Sequence, residues 1–526
     1  MTTAKSERSL TQVVITNTAF NILGKSWGII IALFLTPYTI SCIGVERYGV
    51  WALVSVVTSY FGLLDLGIGS SYVKYIAEYH TKRDCLQINR IVNSGLAFYG
   101  VFMAVVLALA YFFMPQILAI LKIPPALSQE VTFVFWVGIF TFCVSNAASS
   151  FVAVQSGLQR MDIYNKVSLA VSIPYALGTV LALEMGYGLR GLIVVSAITM
   201  VLAGAANAIA AFRLLPELEL SPKYYSWHTF KTLFSYGSKL QIARVSSTVS
   251  MQIDKILLTY YLTLGMVTMF QLASAIIEQA KAIPLLFLGA LIPAFAELDA
   301  RQEHGKITDN YIRGTKYVTL LSFPLFSMLI VSAGPLLLAW MGKGYGQAAI
   351  LVRILAVGWA LAVISGVRSA VLQAINRPGI EMRAGLIAAV FNIPLSIILI
   401  KTFGFSGAAL GTTIALAASG WYGFERLNRE LKVDRTFYTR AWLPQLTGIC
   451  LAAGAAAFGV GLLLGGVTPE NRFGGLAVLA TQCVVFCAIY IALLAKAKPL
   501  DEWDCQRIMQ CLPKIMAGLV GRFCRS

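Results

Sequence analysis

Long apolar runs separated by short polar connectors recur along the whole chain. The runs are continuous and not alternating, which predicts α-helices and argues against a closed β-barrel. At roughly 20 apolar residues per membrane crossing, the pattern predicts fourteen spans, at 13–42, 48–76, 91–115, 129–157, 166–185, 190–212, 232–262, 266–296, 316–341, 347–374, 383–402, 406–425, 441–465 and 473–495. Several are longer than a bilayer needs and should tilt or protrude. The first run lacks the short apolar core and small-residue cleavage site of a signal peptide, so it reads as a retained helix.

Composition agrees. Of 526 residues, 58% are hydrophobic and 12% charged, about half the charged fraction of a soluble domain. The expected class is an all-α polytopic membrane protein. A net charge of +17 would suit a nucleic-acid partner, but the placement of the charges excludes that reading. With the N-terminus in the cytoplasm, and with charges at the first or last two residues of a span counted with the adjoining connector, the cytoplasmic connectors and termini hold 27 Lys/Arg and the opposite connectors hold 6: Arg47, Lys122, Arg190, Lys343, Lys401 and Arg472. The positive-inside rule then puts both termini in the cytoplasm, and the basic excess serves topology and contact with membrane lipids. The nine cysteines are scattered without a C-x-x-C and histidine is scarce, so neither a disulfide framework nor a metal site is expected.

A shift of about 219 residues lays the chain partly over itself. WALVSVV (51–57) falls on FQLASAI (270–276), YIAEYHTKRD (75–84) on AFAELDARQE (294–303), and GLQR (157–160) on AINR (374–377). The consistent order predicts two homologous six-helix bundles, parallel repeats about an axis along the membrane normal. The expected organisation is 1–222 and 223–432 as lobes, 433–496 as two added helices, and 497–526 as a cytoplasmic tail.

Within the spans lie eight cations, Lys25, Lys74, Lys239, Arg244, Lys255, Lys281, Arg353 and Arg368, and three acids, Asp65, Asp254 and Glu278. A centred charge costs roughly 2.5–3.5 kcal/mol on insertion scales, so such residues face protein or water. In the seventh span Gln241, Arg244, Thr248, Gln252 and Lys255 share one face; in the eighth, Gln271, Ser274, Glu278 and Lys281; in the first, Asn17, Asn21, Lys25 and Gly28. Arg353 and Arg368 lie on roughly one face of the tenth. The simplest packing points these stripes into one cationic cavity. Its expected substrate-binding cations are Lys25, Arg244, Lys255, Lys281, Arg353 and Arg368, its polar lining Asn21, Gln241, Gln252 and Gln271, and its ion-coupling acids Asp65 and Glu278. Asp65 stands alone in LLDLGIGSSYVKYIAEY (63–79), where it would look inward at water or a cation, with Lys25 as partner. Blander readings stay open: Lys74 and Lys239 as snorkelling end residues, Asp254–Lys255 and Glu278–Lys281 as local pairs, and the glycines beside Asp65 as close-packing positions.

No P-loop, dinucleotide fingerprint, G-x-S-x-G elbow or metal-spaced cluster occurs, so no cofactor and no catalytic residue are expected. Transport would be gradient-driven or coupled to downstream steps.

The run IGVERYGVWALVSVVTSYFGLLDLGIGSSYVKYIAEY (43–79), the segment MQIDKILLTYYLTLGMVTMFQLASAI (251–276) and GLQR (157–160) resemble bacterial polysaccharide flippases over roughly residues 10–430. These are the O-antigen and exopolysaccharide flippases of the multidrug/oligosaccharidyl-lipid/polysaccharide exporter superfamily. The resemblance implies a V-shaped two-lobed transporter in the bacterial inner membrane that moves undecaprenyl-pyrophosphate-linked oligosaccharide between leaflets. It further implies H⁺ or Na⁺ as coupling ion, and a polysaccharide polymerase and chain-length regulator as partners. A cationic cavity suits a pyrophosphate. Three other readings compete: a drug/cation antiporter, which needs an acidic, aromatic cavity; a membrane-embedded polymerase or glycosyltransferase, which usually needs a larger outside loop; and a scaffold.

Overall fold

The computed structural model describes residues 10–65, 67–375, 377–433, 442–465, 471–498, 501 and 504. Their secondary structure is helical throughout: α1 (Leu10–Ile43), α2 (Val45–Phe61), α3 (Ile68–Thr81), α4 (Cys85–Ile120), α5 (Pro125–Gly157), α6 (Met161–Glu184), α7 (Gly188–Leu214), α8 (Trp227–Tyr261), α9 (Leu264–Ala300), α10 (His304–Met341), α11 (Gly346–Ala374), α12 (Pro378–Phe403), α13 (Phe405–Leu431), α14 (Leu443–Gly465) and α15 (Arg472–Ala497). Among the described residues, eleven of these are long and apolar enough to cross a membrane. The three other long helices are α8, α9 and α13, two of which carry the polar stripes read from the sequence. The chain is a multi-pass, all-α membrane protein.

Local chemistry sets the boundaries. Asp84 caps α4 by accepting from the Gln87 amide, Ser226 caps α8 through Thr229, and Asn471 caps α15 through Gly474. Pro125 and Pro378 open α5 and α12, where a missing amide hydrogen costs nothing. Two pairs of helix starts keep the 219-residue offset read from the sequence. α2 and α9 begin 219 residues apart, at Val45 and Leu264, and so do α4 and α10, at Cys85 and His304.

By internal packing the chain divides into two units, residues 1–268 and 269–526. In the first, α5 packs on α3, α4 and α7, and α6 on α1 and α7. α8 joins this unit, lying against α2, α3 and α4. The connector that leads into α8 explains why. Asn89 of α4 donates to the Glu217 carbonyl (2.8 Å) and accepts from the Glu219 amide (2.9 Å). Asn93 does the same for the Glu219 carbonyl (2.7 Å) and the Ser221 amide (2.9 Å). Two side chains thereby pair four backbone groups of a connector with no ladder of its own. In the second unit α11 packs on α10 and α13, α12 on α13, and α14 and α15 on each other and on α10. Small residues allow the last contact: Ala453 and Ala457 pack with Phe486 against Met328 and Val331.

The second span departs from the continuous helix expected over 48–76. It stops at Phe61, passes through a 3₁₀ turn (Gly62–Asp65) and restarts at Ile68. Gly67 has φ +73°, a left-handed conformation that L side chains rarely adopt. A β-carbon there would also overlap the Gly237 carbonyl of α8.

Candidate functional site

The broken span exposes backbone carbonyls inside the membrane, where each needs a partner. α8 supplies it. The Gln241 amide donates to the carbonyls of Leu63 (2.9 Å) and Gly62 (3.3 Å), and Ser71 of α3 donates to the Leu233 carbonyl (2.8 Å). The break is thus a built feature with its hydrogen bonds provided for.

Asp65, the last residue of the turn, is buried. It lines a cavity of about 800 Å³ formed wholly within the first unit by α3, α4, α5, α6 and α7. Tyr99 of α4 hydrogen-bonds to Asp65 and reaches Ser149 of α5. The cavity wall continues through Asn146, Ser149, Ser172 and Thr199, with the rings of Tyr164 and Tyr175 beside them. Among the described residues that line it there is no lysine or arginine. Hydroxyl and amide side chains surround one carboxylate, a composition for hydrogen-bond donors and cations. Among the described residues, no group of three or more His, Cys, Asp or Glu could hold a metal ion.

The other residues read from the sequence have separate settings. The side chains of Asn21, Lys25 and Arg244 lie outside the described residues, and with them the pairing of Asp65 with Lys25. Lys255 is buried and donates to the half-buried Gln252 at 3.3 Å. In the second unit, Lys281 is buried, donates to Glu278 at 2.5 Å and sits 3.7 Å over the Trp359 ring. Glu278 itself is exposed on the far side of that pair. Gln271 is half-buried. Arg353 donates to the Ile330 carbonyl at 3.2 Å.

Arg368 is held through its two terminal guanidinium nitrogens, while its Nε has no hydrogen-bond partner. It pairs with Glu381 at 3.1 Å and donates to the Ser419 (3.4 Å) and Gly420 (3.3 Å) carbonyls, while its guanidinium fills the space that a β-carbon at Gly423 would take. These contacts tie α11 to α12 and α13. They give Arg368 a bracing task that its position on a face of the tenth span did not reveal.

The sequence reading missed Tyr99, Asn146, Ser149 and Thr199. A signal for part of the set was present: Ser145, Asn146, Ser149 and Ser156 recur near helical spacing in SNAASSFVAVQS (145–156), and Ser168, Ser172 and Tyr175 follow it on α6.

The profile of the family described as "Polysaccharide biosynthesis protein" matches residues 14–299, more than half of the chain. The chain belongs to that family. Relatives with curated descriptions agree with the resemblance seen in the sequence. A putative O-antigen transporter of Shigella flexneri is 19% identical over 407 residues, 76% of this chain and 94% of the relative. The probable flippase AglR of Haloferax volcanii is 22% identical over 395 residues, 73% of this chain and 77% of the relative. Among solved structures, the inward closed lipid II flippase MurJ superposes with TM-score 0.68 over 90% of this chain and 98% of its own, at 14% identity. An inward-facing multidrug resistance MATE transporter gives 0.69 over 78% and 96%, also at 14%. The fold is therefore that of these transporters, and the curated relatives named here are transporters and flippases, not enzymes.

Proposed function

We propose that this chain is a flippase that carries undecaprenyl-pyrophosphate-linked oligosaccharide from the inner to the outer leaflet of the bacterial inner membrane, for O-antigen or exopolysaccharide synthesis. The observation that carries the reading is the match to a putative O-antigen transporter along 94% of that relative's length. Both termini lie in the cytoplasm on this account, as the 27-to-6 distribution of basic residues requires. The lobes are residues 1–222 and 223–432, with the helices of 433–496 appended.

The pyrophosphate is assigned to the membrane-embedded cations. Lys255 and Arg353 are two of them, and the bond from Arg353 goes to a neutral acceptor, the Ile330 carbonyl, so its charge is available to a phosphate. Lys25 and Arg244 belong to the same proposed set. Lys281 and Arg368 already share carboxylates, which makes them weaker members. Asp65, and after it Glu278, are the proposed sites at which H⁺ or Na⁺ couples to the cycle. A polysaccharide polymerase and a chain-length regulator would receive the product.

One observation favours the antiporter reading. The cavity beside Asp65 joins a carboxylate to tyrosines, which suits an organic cation. Deleting the gene in its host separates the two. The flippase reading expects loss of surface polysaccharide, restored by the wild-type gene and not by a Lys25→Ala, Arg244→Ala, Lys281→Ala triple variant that accumulates normally. Intact polysaccharide with altered drug sensitivity would favour the antiporter. Normal export by the triple variant would remove the cationic substrate site.

A further inference from the structure

The cavity of the first unit is too large for its carboxylate alone to explain. At about 30 Å³ per water, 800 Å³ has room for roughly two dozen waters, and a single coupling ion would leave nearly all of it unfilled. It falls in the volume range of sites for whole organic ligands, about 300–1,000 Å³.

The hydrogen bonds of its wall show what kind of ligand it takes. Asn146 spends an amide hydrogen on the Phe142 carbonyl at 2.8 Å. Ser149 donates to Asn146 at 2.6 Å, Thr199 to Val195 at 2.8 Å and Ser172 to Leu169 at 2.6 Å, all backbone carbonyls of their own helices. A hydroxyl has one hydrogen and two lone pairs. Once the hydrogen is used within the helix, what remains for the cavity is acceptor oxygen, although on Ser172 one lone pair already accepts from the Trp27 indole N–H at 2.8 Å. Asp65, when ionised, also only accepts. The wall is therefore rich in acceptors, and no lysine or arginine is among its described lining residues. A phosphate, itself all acceptors, is poorly matched to the described part of such a wall. A polyhydroxylated ring finds many, and the Tyr164 ring, 41% exposed, offers an apolar face for its C–H side.

We infer that the cavity bounded by Asp65, Tyr99, Asn146, Ser149, Ser172 and Thr199 is a carbohydrate subsite, which takes sugar hydroxyls of the cargo while the pyrophosphate is held elsewhere by cations. The inference rests on the glycolipid reading of the function. It divides recognition in two: charge reads the carrier, and hydroxyl acceptors read the glycan.

The test uses the full chain in nanodiscs with two probes, polyprenyl pyrophosphate alone and lipid-linked oligosaccharide extracted from the host's membranes. Asn146→Leu with Thr199→Val removes two acceptors at nearly constant volume. The expected result is about a tenfold weaker affinity for the glycosylated probe and an unchanged affinity for the bare carrier. Equal loss on both probes, or no loss on either, overturns the subsite. Failure of the wild-type chain to bind either probe would instead overturn the glycolipid reading itself. Should the double variant misfold, Tyr164→benzoylphenylalanine in an otherwise wild-type chain decides. Photocrosslinking should capture the glycosylated probe and not the bare carrier. Equal capture of both, or protection by NaCl with no capture of glycan, overturns the proposal.

Discussion

Gln241 shows how a polar residue in a membrane helix acquires its place. From the sequence it reads as one member of a polar stripe facing a cavity. In the structure it is buried and supplies the hydrogen bonds that a broken neighbouring helix lacks. Gln241→Ala should therefore lower stability by about 1–3 kcal/mol, the cost of leaving buried carbonyls unpaired, whatever happens to transport. Thermal unfolding in detergent measures it, and an unchanged melting temperature would contradict the assignment. Asp65 makes a different demand. Asp65→Asn keeps its shape and removes its charge, so a coupling carboxylate should lose the gradient dependence of transport while the protein stays folded. Transport with full gradient dependence in that variant would end the coupling role. The position of Asp65 among small residues was legible in the sequence. Tyr99 was not, because an aromatic residue in an apolar run looks the same whether its hydroxyl meets a carboxylate or a backbone carbonyl. Glu381 as the partner of Arg368 was hidden for a related reason: the pair joins two helices, and neither residue's own helix shows it.

The helices themselves were largely legible, because twenty-residue apolar runs have few other solutions in a bilayer. The break in the second span was not, since hydropathy continues through Gly62, Gly67 and Gly69 without a dip, and the glycines read equally well as packing positions. Gly67→Ala tests the break directly. It combines a disfavoured backbone conformation with overlap on the Gly237 carbonyl, so the variant should fail to accumulate, whereas Gly100→Ala, at an open position, should behave as wild type. The clamp on the connector to α8 should behave as a unit. Asn89→Ala and Asn93→Ala each unpair two backbone groups, and their combination should free 215–226 to protease. A third element-scale contact lies beyond α15. Asp504, fully buried, accepts from Arg313 (2.5 Å), Lys316 (2.6 Å) and Tyr317 of α10. Burial pushes its carboxyl up, but the bonds from Lys316 and Tyr317 outweigh burial and hold it below the usual aspartate value. A depressed pKa makes this docking fully present above the ordinary aspartate range and lost as pH falls through the lower folded value. Asp504→Ala should loosen this docking at neutral pH too, at a cost of about 3–5 kcal/mol as the buried Lys316 loses its carboxylate, while Arg313 keeps Asp501. Unaltered cleavage at Lys498 by a lysine-specific protease would contradict that.

At the scale of the molecule, the sparse identities of the sequence share their 219-residue offset with two pairs of helix starts, α2 with α9 and α4 with α10. The packing units were less visible. The tie that brings α8 to the first unit runs through two asparagines and a connector, features with no periodic signal. Orientation follows from charge, and it predicts that a cysteine at Lys122 or Lys343 reacts with a membrane-impermeant thiol reagent added from outside. Reaction only from the cytoplasmic side would invert the topology. The central claim is movement of a lipid-linked glycan by this chain alone. Purified protein in sealed proteoliposomes, given a fluorescent lipid-linked oligosaccharide on one leaflet, measures it most directly. The account predicts transfer to the other leaflet, accelerated by an imposed H⁺ or Na⁺ gradient and lost in the Lys25, Arg244, Lys281 triple alanine variant. A rate equal to that of protein-free liposomes, with or without a gradient, would contradict it.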